Sequence, residues 1–362
     1  MDETTALRQA VRGLLAKRSE PRTAVETPLG YDHELWSILT GQIGVAALAV
    51  PERYGGAGAT LAELCVVLHE LGRTLTPCPL LGSAVVAAQA LLATGDTDAC
   101  ARLLPGIAEG TRVATLAWSG PDGGWSPERP AVKADGSTLT GTACYVLDGD
   151  LADVLLVAAR TTGGTGLFEV DATAAGVRRE HTPSLDPARR LAIVDLAGVP
   201  ARRLDRGDYT PCLRHVRDVA LVALAAEQTG AAERALEATV EYSLQRHQFG
   251  RPIGAFQALK HRMADAFVRL EQARSAVHAA LRSAVGDTPE LPLDAAVAKI
   301  VCAEALRHIA AEMIQLHGGI AITWEHDAHL YFRRAHGSAQ LFGEPEAHVA
   351  ALAVCGVPGG GV

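Results

Sequence analysis

The densest run of groups able to bind or polarise a ligand is RHQFGRPIGAFQALKH, Arg246 to His261. A helix ends there with a cationic residue near its last carbonyls, the chain turns at Gly250 and Pro252, and a new helix begins near Ala255. Arg246, Arg251, Lys260, His261 and Arg262 are therefore concentrated at one interhelical corner. Such a corner suits the phosphates of a nucleotide cofactor, with Gln248 and Gln257 as hydrogen-bond donors and Phe249 as a stacking or wedging surface. The alternative is a solvated connection carrying a few surface ion pairs. A second run, QLHGGIAITWEHDAHLYFRRA, spans Gln315 to Ala335. Its Gly318 and Gly319 read either as an ordinary helix C-cap or as a close backbone approach to a pyrophosphate with Gln315 alongside. His326 and His329 stand three apart, as metal ligands can, yet no second ligand cluster lies nearby in sequence. A capping segment is the expectation, and no metal is assigned.

The composition bounds what these groups can serve. The 362 residues are 48% hydrophobic and 20% charged, with 33 Lys+Arg against 41 Asp+Glu and a formal charge of -8. That is a globular chain with room for two or three domains. The acidic balance lacks the basic footprint that nucleic acid requires. Seven cysteines without a CxxC suggest neither a disulfide framework nor structural zinc. The first twenty residues read as an amphipathic helix, not a signal peptide, and no uncharged apolar run reaches membrane-spanning length. A cytoplasmic, reducing location is expected.

The elements that must position the motifs follow from periodicity. Residues 1–110 are helical, with apolar residues at three- and four-residue spacing over Leu61 to Leu71 and an Ala/Leu-rich helix over Ser83 to Thr94. From 111 to 204 short aliphatic and β-branched runs (Arg112–Ala117, Ala131–Lys133, Val154–Ala158, Leu167–Val170, Leu191–Val194) alternate with turn-forming clusters, which predicts a small antiparallel sandwich or barrel. From 205 to 362 helices return over Asp218–Gln245, Ala255–Val285, Leu293–Gln315 and Ala328–Gln340, with a short one near Ala347, which predicts a bundle.

The two motifs, together with VPERYGGAGATLAELCVVLHELGRTLTPCPLLGS (Val50 to Ser83), resemble the acyl-CoA dehydrogenase family of flavoproteins over nearly the whole chain. The resemblance implies an α+β fold: an N-terminal all-α domain, a middle β-domain and a C-terminal four-helix bundle, with FAD between sheet and bundle. It implies that Arg246, Gln248 and Phe249, with Gln257 beside them, meet the adenosine and pyrophosphate end of an FAD bound mainly by a neighbouring subunit. It implies likewise that Gln315, Gly318 and Gly319 reach the same dinucleotide across the dimer. The family chemistry so implied is α,β-desaturation of an acyl-CoA thioester, in which a carboxylate removes the α-proton as a hydride passes to the flavin.

Three departures bear on that chemistry. Where the family has Tyr-Glu-Gly after the last bundle helix, this chain has Leu341-Phe342-Gly343, and phenylalanine cannot take a proton. The position used by members with the base on an early bundle helix is Ala220; Glu227, two turns along the same face, becomes the candidate base, against the alternative of an interhelical ion pair. In the β-domain the flavin-shielding stretches correspond to Trp118-Ser119-Gly120-Pro121 and Tyr145-Val146-Leu147, where Leu147 supplies no hydroxyl and Tyr145 remains able to cover the ring. Ala321 and Ile322 replace a usual glycine and aromatic. These differences resemble an actinobacterial branch of paired, unlike subunits acting on bulky thioesters such as steroid side-chain intermediates. The readings are thus an FAD-dependent desaturase; a partner subunit completing a homologous chain's FAD site in a homo- or hetero-oligomer; or a relative acting on a carrier-protein thioester or passing electrons to oxygen. Electron-transfer flavoprotein is the other acceptor implied.

Overall fold

A computed structural model describes residues 3–354. Six helices precede the sheet: α1 (Glu3–Arg18), α2 (Pro21–Ala24), α3 (His33–Ile38), α4 (Leu61–Thr74), α5 (Ala88–Leu92) and α6 (Thr97–Ala108). The start of α4 is set by a reciprocal cap: Thr60 Oγ1 accepts from Ala62 N while Glu63 Oε2 accepts from Thr60 N. The helix expected over Ser83 to Thr94 is instead π-helical over Leu80–Ala87 before α5 begins. That stretch packs on the sheet, where Ser83 Oγ accepts from Ala114 N.

The strands are β1 (Ala114–Ala117), β2 (Val132–Asp135), β3 (Thr138–Leu147), β4 (Val154–Thr161), β5 (Gly164–Asp171), β6 (Val177–Thr182), β7 (Leu191–Pro200) and β8 (Arg202–Arg203). They form one sheet in the order β6-β7-β3-β2-β4-β5-β8, with β1 also on β4. The antiparallel expectation is corrected in one respect. Both β1 and β2 run parallel to β4, end to end along one of its edges, so the sheet is mixed. The loop between them returns the chain to the same neighbour before β3 reverses direction. The apolar-run pattern marked neither β3 nor β6. Gly141 and three threonines interrupt β3, and β6 is a polar edge strand, VRREHT, whose exposed face needs no apolar side chains.

Four helices follow: α7 (Thr210–Gln245), α8 (Gln257–Gly286), α9 (Leu291–His317) and α10 (Ala328–Gln340), then α11 (Pro345–Val354). A two-strand hairpin, β9 (His247–Gln248) and β10 (Arg251–Pro252), joins α7 to α8. The middle of α7 is buried on every side from Asp218 to Ala232, so it has no polar face. Its alanines admit close neighbours, and α4 comes closest of all. A Cβ on Gly72 would stand 2.1 Å from Glu227 O, and one on Gly230 would stand 1.9 Å from His69 O. The backbones touch at this crossing, which only glycine permits on both helices.

Beside the crossing, α1, α4, α7 and α8 share an ionic network. Arg12 of α1 meets Glu70 of α4 in bidentate fashion, at 2.8 and 2.9 Å. His69 lies between Glu70 and Glu233, and Arg8, Arg73, Glu237 and Arg274 extend the network, which continues to Arg234 and Glu271. Burial alone would lower the His69 pKa, but hydrogen bonds and charges from Glu233 and Glu70 outweigh it and raise it. Glu70, despite burial, is held down to about 2 by His69 and Arg12. Six cysteines are free thiols, and Cys355 lies outside the described residues. Among the described residues no helix is long and apolar enough to cross a membrane.

Two outcomes follow from this packing. Gly230→Ala should cost about 3 kcal/mol in urea denaturation by forcing α4 and α7 apart, whereas Gly13→Ala, whose added Cβ meets nothing within 4 Å, should stabilise α1 by about 0.5 kcal/mol. Equal effects at the two positions would refute the close crossing. Because His69 has a raised folded pKa, its contribution is complete below the ordinary imidazole value of 6.5 and is lost as pH rises through the raised one. Stability should therefore fall across that window, and His69→Gln should flatten the fall.

Candidate functional site

The corner after α7 is a tight hairpin. Phe249 and Gly250 form its two-residue tip with φ of +53° and +75°, the left-handed pair of a type I′ turn. This backbone is unusual for phenylalanine, and it projects the ring outward at 91% exposure. The base of the hairpin is braced: Phe249 meets Phe256 edge-on at 6.2 Å, and the Arg251 guanidinium lies 4.2 Å over Phe256. Arg246, Gln248 and Gln257 are all exposed, and Gln248 Nε2 donates to His247 O at 2.8 Å.

The second motif arrives at the same end of the bundle. Tyr242 of α7 stacks on His317 of α9 at 4.3 Å, and His317 meets His326 at 4.4 Å. His317 Nδ1 donates to Met313 O, which leaves Nε2 as a buried acceptor with no partner. Just beyond, Gln315, Gly318 and Gly319 are exposed, and Cβ atoms on either glycine would meet nothing. His326 Nδ1 accepts from Ala328 N, a helix-start contact, and among the described residues no group of three potential ligands could hold a metal. Seven of the eight residues proposed for the cofactor thus lie exposed on the hairpin, the start of α8 and the end of α9.

Tyr145 lies elsewhere. It has φ +56° beside a register shift in β3 and lines a cleft of about 590 Å³ between sheet and bundle, with Trp125, Arg189, Gln340, Leu341 and Glu344 also on its walls. Behind this cleft Trp118, Trp125 and Phe342 pack together, with ring centroids 5.2 to 6.2 Å apart. With Gly82, Val86 and Leu147 they leave no room for a water molecule. Ser119 Oγ, in the stretch expected to face the flavin, donates to Cys144 O instead.

Phe342 is fixed by its backbone. Gly343 N donates to Gln340 O at 3.2 Å, closing a turn in which Leu341 is at φ −66°, ψ 132° and Phe342 at φ +62°. That is a type II turn with phenylalanine at the position that normally takes glycine, a placement costing roughly 1–2 kcal/mol. Two side chains hold it. Lys299 of α9, fully buried, donates to Ser338 O and Leu341 O at 2.8 and 2.9 Å, and His348 of α11 donates to Phe342 O at 3.1 Å. Burial pushes the Lys299 amine down to about 7 and the His348 imidazole down to about 4.

Glu227 is 4% exposed and does not line the cleft. Its Oε1 accepts from both Arg334 of α10 and Arg189 of the β6–β7 loop. Arg334 also binds Asp186 and Ala188 O, so three buried charges and the partly buried Arg189 tie that loop to α7 and α10. Burial opposes the Arg334 charge, but Asp186 and Glu227 outweigh it and raise its pKa. The arrangement is the interhelical ion pair, extended to a loop. Asp148, at the end of β3, is a further buried carboxyl, raised to about 7 by burial. Sequence reading missed Asp186, Arg189, Lys299 and Arg334; only Lys299, a lone charge inside the apolar run AAVAKIVCA, offered a signal.

Comparison with known proteins bears on both regions. Residues 1–111 match the family model for the acyl-CoA dehydrogenase N-terminal domain, and residues 218–354 match that for the acyl-CoA dehydrogenase C-terminal domain. The chain is 42% identical over 347 residues to acyl-CoA dehydrogenase IpdE2 of Mycolicibacterium smegmatis, covering 95% of this chain and 96% of that one. Among solved structures it is similar to a Tcur3481–Tcur3483 steroid ACAD variant, with TM-score 0.89, 33% identity and 97% of each chain covered. It is similar also to the ChsE4–ChsE5 complex of Mycobacterium tuberculosis, with TM-score 0.91, 29% identity and 99% of each chain covered.

Removing one member of the buried charge cluster leaves the others uncompensated. Glu227→Gln should therefore lower stability by about 3 kcal/mol in urea denaturation, and an unchanged midpoint would remove Glu227 from the ion-pair role.

Proposed function

The chain belongs to the acyl-CoA dehydrogenase family of oxidoreductases, and from that premise we propose that it is the partner subunit of a paired enzyme, completing the FAD site of a homologous chain while its own slot stays closed. Family membership implies a flavin, and the residues that would hold it here are Arg246, Gln248, Phe249, Gln257, Gln315, Gly318 and Gly319. The observation that carries the reading is the contrast between the two regions. At the bundle end the donors are exposed and the glycines open, as a dinucleotide on a neighbouring chain would require. In the cleft the space behind Tyr145 is filled by Trp118, Trp125 and Phe342, and no unpaired carboxylate stands at the Phe342 position.

Each residue then has a task that its geometry suits. Arg246 offers its guanidinium to phosphate, Gln248 and Gln315 offer amide donors, Gly318 and Gly319 let the backbone come close, and Phe249 covers an aromatic ring or wedges beside it. Gln257, at the first turn of α8, adds a donor beside the hairpin. A bound flavin supplies hydride acceptance, which none of these side chains can provide. Glu227 serves as the anchor of the cleft wall, and the base for α-proton removal belongs to the homologous chain. Likeness to a structure described as a steroid ACAD supports a bulky apolar acyl-CoA thioester as the substrate of the pair. Electron-transfer flavoprotein is the proposed acceptor, and the cytoplasm the proposed location.

Expression alone should give a colourless protein, and co-expression with a homologous subunit a mixed oligomer absorbing near 450 nm and holding fewer FAD than subunits. In that oligomer Arg246→Ala should weaken FAD retention roughly tenfold, about 1.4 kcal/mol, and Glu227→Gln should leave the rate of anaerobic bleaching by an acyl-CoA unchanged. A lone chain that purifies with one FAD and is bleached by an acyl-CoA would overturn the partner reading in favour of self-contained desaturation.

A further inference from the structure

The turn that carries Phe342 is built to have two states. Types I and II share the same end residues and differ by a flip of the peptide between the two central ones, which moves the second of them between negative and positive φ. Here that peptide is Leu341–Phe342, and its carbonyl, Leu341 O, is the atom Lys299 holds at 2.9 Å. A bulky residue at positive φ persists only where its surroundings over-determine it. Lys299 grips the flipping peptide from α9, and His348 grips the next carbonyl, Phe342 O, from α11.

The ring so held fills an apolar pocket behind the 590 Å³ cleft; Trp125 and Tyr145 line both, and Leu341 and Gly343, on either side of Phe342, line the cleft. The cleft wall offers polar groups at Ser184, Arg189 and Gln340. Arg189 Nε is buried there without a partner. The pocket's other walls are Gly82, Val86, Leu116, Trp118 and Leu147, and Thr115 Oγ1 among them already donates to Leu147 O, so the lining is mainly apolar. A ligand spanning both spaces would carry an apolar chain or ring inward and leave a polar head at the cleft.

We propose that Phe342 is an aromatic gate, kept shut by Lys299 and His348 as positioning residues, over an apolar slot that admits the hydrocarbon part of an amphipathic acyl ligand when the Leu341–Phe342 peptide flips. The gate rests on the closed-slot reading above, but it concerns this chain alone and can fail while the shared flavin site stands. It makes closure a property of one turn, not of a solid core.

The test uses the full chain, with any homologous subunit that copurifies, and 11-(dansylamino)undecanoic acid as the probe. Binding is read by energy transfer from tryptophan to dansyl. Phe342→Gly is the primary variant, since glycine is the residue this turn position prefers and folding should be retained. It should bind the probe at least tenfold more tightly than the wild type, and Trp125→Phe in that background should reduce the transfer. Lys299→Met, which leaves Phe342 in place, should tighten binding about threefold, and Leu64→Ala, a loss of buried volume from α4, should not tighten it. Unaltered affinity in Phe342→Gly would overturn the slot. Tightening in Phe342→Gly with none in Lys299→Met would overturn the latch, and equal tightening in Leu64→Ala would reduce the effect to general loosening. Should Phe342→Gly fail to fold, Phe342→Met takes its place with a threefold threshold.

Discussion

The contact on which most of the structure depends is the crossing of α4 and α7 at Gly72 and Gly230. Backbone against backbone, it helps surround the middle of α7 with protein, where Glu227 is buried. A buried carboxylate must then be compensated. Arg334 and Arg189 do so, and in doing so they fix α10 and the β6–β7 loop against α7. The loop and helix that wall the cleft are thus held to α7 by the charges that compensate Glu227.

The same logic extends to the end of α10. A lysine in the apolar interior of α9 would be costly if it faced only side chains, since desolvation opposes its charge. It faces instead the carbonyls that the helix leaves unpaired at its C-terminus, where a cation is favoured by the helix dipole. One residue therefore resolves two problems, an orphaned set of acceptors and a strained turn. The result is a phenylalanine ring placed among tryptophans, where the family pattern carries a carboxylate.

The two functional regions differ in the kind of order they need. The bundle end is a surface assembled from a hairpin, a helix start and a helix end, braced by the Tyr242–His317–His326 stack and presented outward. Its groups are exposed and its glycines are open, which is what supports the proposal of a ligand shared with another chain. The cleft is an interior feature whose walls come from the sheet, the β6–β7 loop and α10, and its shape depends on buried charges and a turn.

The helical and strand regions were legible because each rests on local periodicity: apolar spacing in α4 and α7 to α10, aliphatic runs in β4 and β5. The turn, cations and glycines at the bundle end were legible too, since they lie within two short segments; their use for a nucleotide is the proposal made above. What the periodicity could not carry was β3 and β6, where a glycine-broken strand and a polar edge have no apolar signature, and the parallel placing of β1 and β2, which depends on where a loop returns. The amino-acid sequence by itself determined the family, the order of elements and the absence of a base at Phe342, because these are properties of residue identity and near neighbours. Only the tertiary structure decided that Glu227 is an ion-pair anchor, that Lys299 grips the turn, and that Phe342 fills the slot. Those roles are set by which buried groups meet, and partners such as Arg334 and Glu227, 107 residues apart, are brought together only by packing.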